Sequence, residues 1–185
     1  MRKIFVGITA ACVLLAGVLS ASAAAPANFA GTWTLDKAKS EGLPPNAAAI
    51  ESLTLAVTQD AQQITFDAKM TMGSQADAAG GPGQGRGRGM GLFPPNASYK
   101  LDGTETTADN PGGMGGTTTF KAAWKDGGKT LELKRVRKGN FQGNEVTITT
   151  TEDWTLSADG KTLTIKRTTE SPRGTQNSTL VFNKQ

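Results

Sequence analysis

The chain has 185 residues, with 20 Lys and Arg against 16 Asp and Glu, no histidine and one cysteine. That length suits one domain, and so small a positive excess serves solubility rather than marking a nucleic-acid footprint. With no histidine, and with Cys12 inside an apolar leader, a His-based triad, a thiol nucleophile and an ordinary zinc site are excluded.

The leader comes first. Arg2 and Lys3 precede an apolar run from Ile4 to Leu19, and Ala21-Ser22-Ala23 is an A-x-A cleavage site. Residues 1–23 read as a secretory signal peptide, too short for a membrane span. Cys12 does not make a lipoprotein box, since Thr9 stands where an aliphatic residue is needed. The expectation is an exported protein, periplasmic or extracellular, without stable membrane insertion. Residues 24–185 then form a single domain that carries no cysteine, so its core and no disulfide must hold it together. Removing Arg2 and Lys3 leaves 18 basic against 16 acidic residues.

Phe29, Gly31, Trp33 and Leu35 share one face of a first strand. Asp36 to Ala49 reads as a loop, because Leu43-Pro44-Pro45 opposes a helix. Leu53, Leu55 and Val57 alternate with polar or small residues, as do Ile64, Phe66 and Ala68. A tight connection near Asp60-Ala61 pairs Val57 with Ile64 and Leu55 with Phe66. Residues 73–95 are Gly-rich and aperiodic, and read as a disordered loop. Tyr99 and Leu101 mark a short strand, and a second Gly-rich loop occupies 104–116.

Alternation resumes at Phe120, Ala122 and Trp124, turns at Asp126-Gly127-Gly128, and returns through Leu131, Leu133 and Arg135. Glu145 to Thr168 carries the strongest pattern. Val146, Ile148, Thr150, Glu152, Trp154 and Leu156 share a face, against Thr147, Thr149, Thr151, Asp153 and Thr155 on the other. With Ser157 to Gly160 as a four-residue turn, Leu156 faces Lys161, Trp154 faces Leu163 and Glu152 faces Ile165. A turn at Ser171-Pro172-Arg173-Gly174 then pairs Ile165 with Leu180 and Leu163 with Phe182. The stretch around Trp124 and Gly127 is echoed around Trp154 and Gly160, as a repeated hairpin in a meander. The fold class is all-β, an antiparallel up-and-down meander barrel of eight or nine strands, with a β-sandwich as the alternative.

Gly31-Thr32-Trp33, opening the first strand of such a meander, resembles the G-x-W of lipocalins and the wider calycin group. The longer runs GTWTLDKAKS, WTLSADGKTLTI and TLVFNK resemble small exported lipocalin-like proteins of bacteria, mostly of unassigned activity. The resemblance implies a barrel whose Trp33 closes one end beneath a basic residue of a late strand. Lys184 is the nearest candidate and Arg167 the second. The chain lacks the cysteines of typical lipocalins and a clear helix after the last strand.

The candidate interior residues are Trp33, Phe66, Phe120, Trp124, Arg135, Glu152, Trp154 and Arg167. Glu152, Arg167 and Arg135 on an otherwise apolar face would bind a polar ligand head or pair with one another. Arg86 and Arg88 lack interleaved aromatics and belong to a solvated loop. Met70, Met72, Met90 and Met114 read as packing and linker residues rather than copper ligands. No metal site, cofactor or nucleic-acid partner is expected, and the expected state is a monomer. The leading functional expectation is a barrel that binds a small hydrophobic or amphipathic ligand. The alternatives are a filled barrel with a structural or interaction role and, further off, a lipid-modifying enzyme with Glu152 as base.

Overall fold

A computed structural model describes residues 25–43, 49–72, 92–94, 97–110, 115–141 and 143–185. Ten strands follow one another: β1 (Gly31–Leu35), β2 (Ile50–Gln59), β3 (Gln63–Met72), β4 (Ala97–Lys100), β5 (Thr106–Asp109), β6 (Thr117–Lys125), β7 (Thr130–Phe141), β8 (Asn144–Leu156), β9 (Thr162–Ser171) and β10 (Gly174–Lys184). Every neighbouring pair is antiparallel, and the sheet order is β4-β3-β2-β1-β10-β9-β8-β7-β6-β5. The meander therefore closes its two halves through β1 and β10, where Trp33 pairs with Lys184 and Leu35 with Phe182. Among the described residues the edges β4 and β5 do not pair. Each has four residues, and short edges offer little template for aggregation. Tyr99 of β4 meets Phe120 of β6 edge-to-face at 5.2 Å, so side chains span the seam in a nearly closed barrel.

The strand count is one above the periodic reading, because β5 lies inside the expected 104–116 loop. Its sequence, Thr106-Thr107-Ala108-Asp109, has no apolar alternation, being an exposed edge held by the β6 ladder alone. The β4 strand ends at Lys100, and Leu101 begins the following turn. The signal-peptide reading and most of the 73–95 reading fall outside the described residues. Leu92 to Pro94 are described, and Phe93 is a core residue rather than part of a solvated loop.

Faces came out as expected, whereas two registers differ by two residues. Val57 pairs with Phe66 and Leu55 with Ala68. Trp154 pairs with Ile165, Leu156 with Leu163 and Glu152 with Arg167. In each hairpin the turn centre sits one residue further along because side chains lengthen the loop. Asp60 accepts from the Gln62 and Gln63 amides at 2.7 and 2.8 Å. Asp159 accepts from the Lys161 amide at 3.1 Å, and Ser157 Oγ accepts from Thr162 at 2.9 Å. A shift of two preserves the face, so the buried set survives the correction. Ile165–Leu180 and Leu163–Phe182 pair as expected, and Trp124 pairs with Leu131.

The end with the β2–β3, β6–β7 and β8–β9 turns is corked by the segment before β1. Ala27 donates to the Gly128 carbonyl at 2.8 Å, while Gln59 donates to the Ala27 carbonyl at 3.0 Å and accepts from Phe29 at 2.9 Å. Phe29 thereby enters the interior. It stacks on Trp124 at 6.2 Å and meets Trp154 edge-on at 5.9 Å. Trp33 is fully buried and donates to the Phe29 carbonyl at 2.9 Å. Lys184 packs over its ring at 5.3 Å, as the resemblance implied, and Arg167 does not.

Gly31 makes this closure possible. Its φ of +140° is a region that side chains rarely adopt, and an added Cβ would stand 3.1 Å from Lys184 Cε. Gly31→Ala should therefore cost about 1–3 kcal/mol, the usual strain of such a conformation. Urea denaturation beside Thr32→Ala checks this, and equal stability of the two variants would remove Gly31 from the account.

Candidate functional site

On β3, β7, β8, β9 and β10 the inward-facing residues lose burial towards the end where the β7–β8 and β9–β10 turns lie, whereas on β2 Ile50 and Leu53 stay buried. Along β8, Trp154, Glu152 and Thr150 are buried, whereas Ile148 and Val146 are half-buried. Along β3, Ile64 and Phe66 are buried and Ala68, Met70 and Met72 half-buried. Leu131 and Leu133 on β7 give way to half-buried Arg135 and Arg137, and β9 and β10 follow suit. The barrel therefore has an aromatic floor and a layer that grows polar above it.

Glu152 and Arg167 form the base of that layer. The β8–β9 register sets them directly opposite, and both are nearly out of water, with side chains 5% and 6% exposed. Arg167 Nε donates to Glu152 Oε1 at 2.9 Å, and Nη2 stands 2.8 Å from the same oxygen. The second approach lacks hydrogen-bond geometry, so Nη2 keeps an unused N–H. The other oxygen, Oε2, is taken by Trp154 Nε1 at 2.8 Å. Phe93 lies over the Arg167 guanidinium at 4.6 Å, and its ring also meets Phe66 and Phe182. A charge removed from water needs such a set of partners to be tolerated.

Arg135 stands opposite Thr150 on β8 and Phe120 on β6. Nη2 of Arg135 reaches Thr150 Oγ1 at a long 3.4 Å. Burial pulls the Arg135 guanidinium below its ordinary range, partly offset by Tyr99 and Glu152 nearby. Burial, with the Glu152 carboxylate adding to it, pushes the Tyr99 phenol well above its usual value. Arg137 shares the Arg135 face two residues on, and its Nε is shut from solvent with no partner among the described residues. Among those residues no carboxylate lies within ion-pair distance of Arg135 or Arg137.

The eight candidate residues thus divide. Arg135, Glu152 and Arg167 form one cluster beside Phe120, which is half-buried at the seam. Phe66 and Trp154 lie beneath it with ring centroids 5.2 Å apart. Trp33 belongs to the corked end. Trp124 is half-buried there and lines a surface cleft of about 350 Å³ with Pro26, Asn28, Gln59 and Leu101. A second cleft, of about 380 Å³, lies between Glu41-Gly42 and β9–β10 and has Arg167 in its lining. Sequence reading missed Arg137, Tyr99 and Phe93. Arg137 continues the Leu131-Leu133-Arg135 alternation, and that signal could have found it. Phe93 sits in glycine-rich sequence with no periodic cue.

The fold and site define an all-β, nearly closed antiparallel barrel with a charged layer inside. No family model matches the chain, and no curated protein matches it significantly. Among solved structures, it is similar to zebrafish ileal bile acid-binding protein complexed with cholic acid, at TM-score 0.47 and 16% identity, over 89% of this chain and 100% of that one.

Two measurements probe the layer. Arg167→Leu strands the Glu152 carboxylate and should cost about 3–5 kcal/mol, as breaking one side of a buried pair does. Glu152→Gln with Arg167→Leu should recover part of that loss, because the amide oxygen still accepts from Trp154. Strictly additive losses in urea denaturation would show that the two side chains are not coupled. Tyr99 is the one tyrosine, so its ionisation is read cleanly by ultraviolet titration. It should stay protonated above pH ~10, the ordinary phenol value. A raised folded value means the contribution to stability is complete below pH ~10 and lost as pH rises beyond it. A normal titration with the fold intact would place Tyr99 in water.

Proposed function

We propose that this protein is an exported, non-enzymatic barrel that binds a small amphipathic molecule at its less buried end. The observation that carries the reading is the gradient on the inward faces of β3, β7, β8, β9 and β10. Ile148 is half-buried opposite Arg137, and Met70 and Met72 of β3 are half-buried towards the same end. An apolar wall with a few convergent polar groups is the usual make-up of a small-ligand site. The leader at 1–23 supports export, and the absence of histidine throughout and of cysteine after position 23 supports a binding role over catalysis. A lone Glu152, already engaged by Arg167 and Trp154, is a poor base.

A second reading rests on Phe93. Its ring occupies interior space between Phe66, Phe182 and Arg167, which favours a filled barrel acting through its surface.

A fluorescent fatty-acid-type probe separates the two. Binding in the micromolar range, roughly −8 kcal/mol, with a change in Trp emission is the expected outcome. Met70→Asp should weaken binding about tenfold or more by placing a charge on the apolar wall, since burying an unpaired charge is costly. No binding by the folded protein would leave the filled-barrel reading standing.

A further inference from the structure

If the barrel binds an amphipathic molecule as just proposed, the charge inside it selects the head group. Arg135, Arg137 and Arg167 share the inward layer with one carboxylate, Glu152, and among the described residues nothing else of negative charge joins them. Glu152 balances Arg167. Two guanidinium charges remain over, on neighbouring inward positions of β7.

The donors are also underused. Among the described residues, Arg167 Nη2 makes no hydrogen bond although it stands 2.8 Å from Glu152 Oε1, and Arg137 Nε is shut from solvent with no partner. Arg135 makes, among the described residues, one side-chain hydrogen bond, a long one to Thr150. Buried donors left without acceptors lose water and gain nothing, so such an arrangement is stable only at a cost. Thr150 is itself buried, and its short side chain stands between Arg135 on β7 and Thr169 on β9. A hydroxyl there adds another donor. Guanidinium forks match tetrahedral and planar oxyanions through paired N–H groups.

We infer that this layer binds a doubly charged oxyanion head, of the phosphate-monoester class, carried on an apolar tail. Two unmatched guanidinium groups complement two negative charges better than one. Head and tail would follow the interior gradient, with the oxyanion at Arg135, Arg137 and Thr150 and the tail along the half-buried apolar wall.

Isothermal titration calorimetry of the purified protein tests this with decyl phosphate, decyl sulfate and decyl glucoside, each below its micelle concentration, and with inorganic phosphate. Decyl phosphate should bind about tenfold or more tighter than decyl sulfate, and decyl glucoside weakest, since each charge-assisted contact is worth about a decade in affinity. Inorganic phosphate should bind far more weakly than decyl phosphate. Arg137→Gln should lower decyl phosphate affinity about tenfold or more and leave decyl glucoside unchanged. Arg135→Gln supplies the same comparison if the first variant does not fold by circular dichroism. Equal affinity for the three decyl compounds, or for decyl phosphate across the variants, would overturn the dianion inference while the amphipath-binding reading stands. Failure of all three to bind would overturn both. Inorganic phosphate binding as tightly as decyl phosphate would overturn the tail and point to free phosphate.

Discussion

The contact between Glu152, Arg167 and Trp154 ties this structure together. Two side chains of opposite charge lie almost out of water, on facing positions of the central hairpin. Neither could be buried alone at tolerable cost. Their pairing discriminates strongly between registers of β8 and β9. A slip of two residues, as an ordinary four-residue turn would give, sets Glu152 against Ile165 and leaves both charges unmatched in the core. Apolar pairs alone discriminate less, since Leu, Ile and Trp tolerate one another across a ladder. Trp154 adds a third point by donating to the oxygen that Arg167 leaves free. The pair therefore contributes more to specifying the register than to net stability, because desolvation offsets most of the attraction.

Closure is arranged separately. β1 is short, yet it joins β2 to β10 and makes one sheet out of two runs of hairpins. The segment ahead of it crosses the corked end through hydrogen bonds to Gly128 and Gln59. Trp33, Gly31 and Lys184 fit together there: the indole fills the end, the ammonium lies over it, and the glycine leaves space for both. At the seam, hydrogen bonding stops and aromatic packing takes over, with Tyr99 on Phe120. The two kinds of closure place the polar layer beside the seam and away from the cork.

The faces of the strands were legible in the sequence because a period of two is a local signal that burial enforces. Which residues pair across a turn is less local. The two slipped registers, at Asp60 and at Asp159, each depend on a side-chain carboxylate that captures backbone amides and moves the turn centre by one residue. β5 was invisible because an exposed edge needs no apolar alternation. Of the site, Glu152 and Arg167 were legible as charges on an apolar face, and Arg135 likewise. Phe93 was not, since its position depends on a segment entering the barrel from outside the sheet, and no periodicity announces that.

Phe93 and Phe29 together say something about the interior volume. An eight-stranded barrel is about as wide as its own inward side chains can fill. Here ten strands enclose a wider space, and two aromatic rings from outside the strands fill part of it. Phe29 fills the corked end against Trp124 and Trp154, and Phe93 fills the middle against Phe66, Phe182 and Arg167. Further on, among the described residues, no third ring from outside the strands continues the stack, and the inward positions of β3, β7 and β8 change to Ala68, Thr150 and the flexible arginines and methionines, with the Phe120 ring beside Arg135. Side chains of that kind adapt to a guest, whereas stacked rings do not. The barrel thus spends its rigid aromatics where it must stay closed, and sets its unmatched charge where the inward side chains of β7 and β8 are less buried.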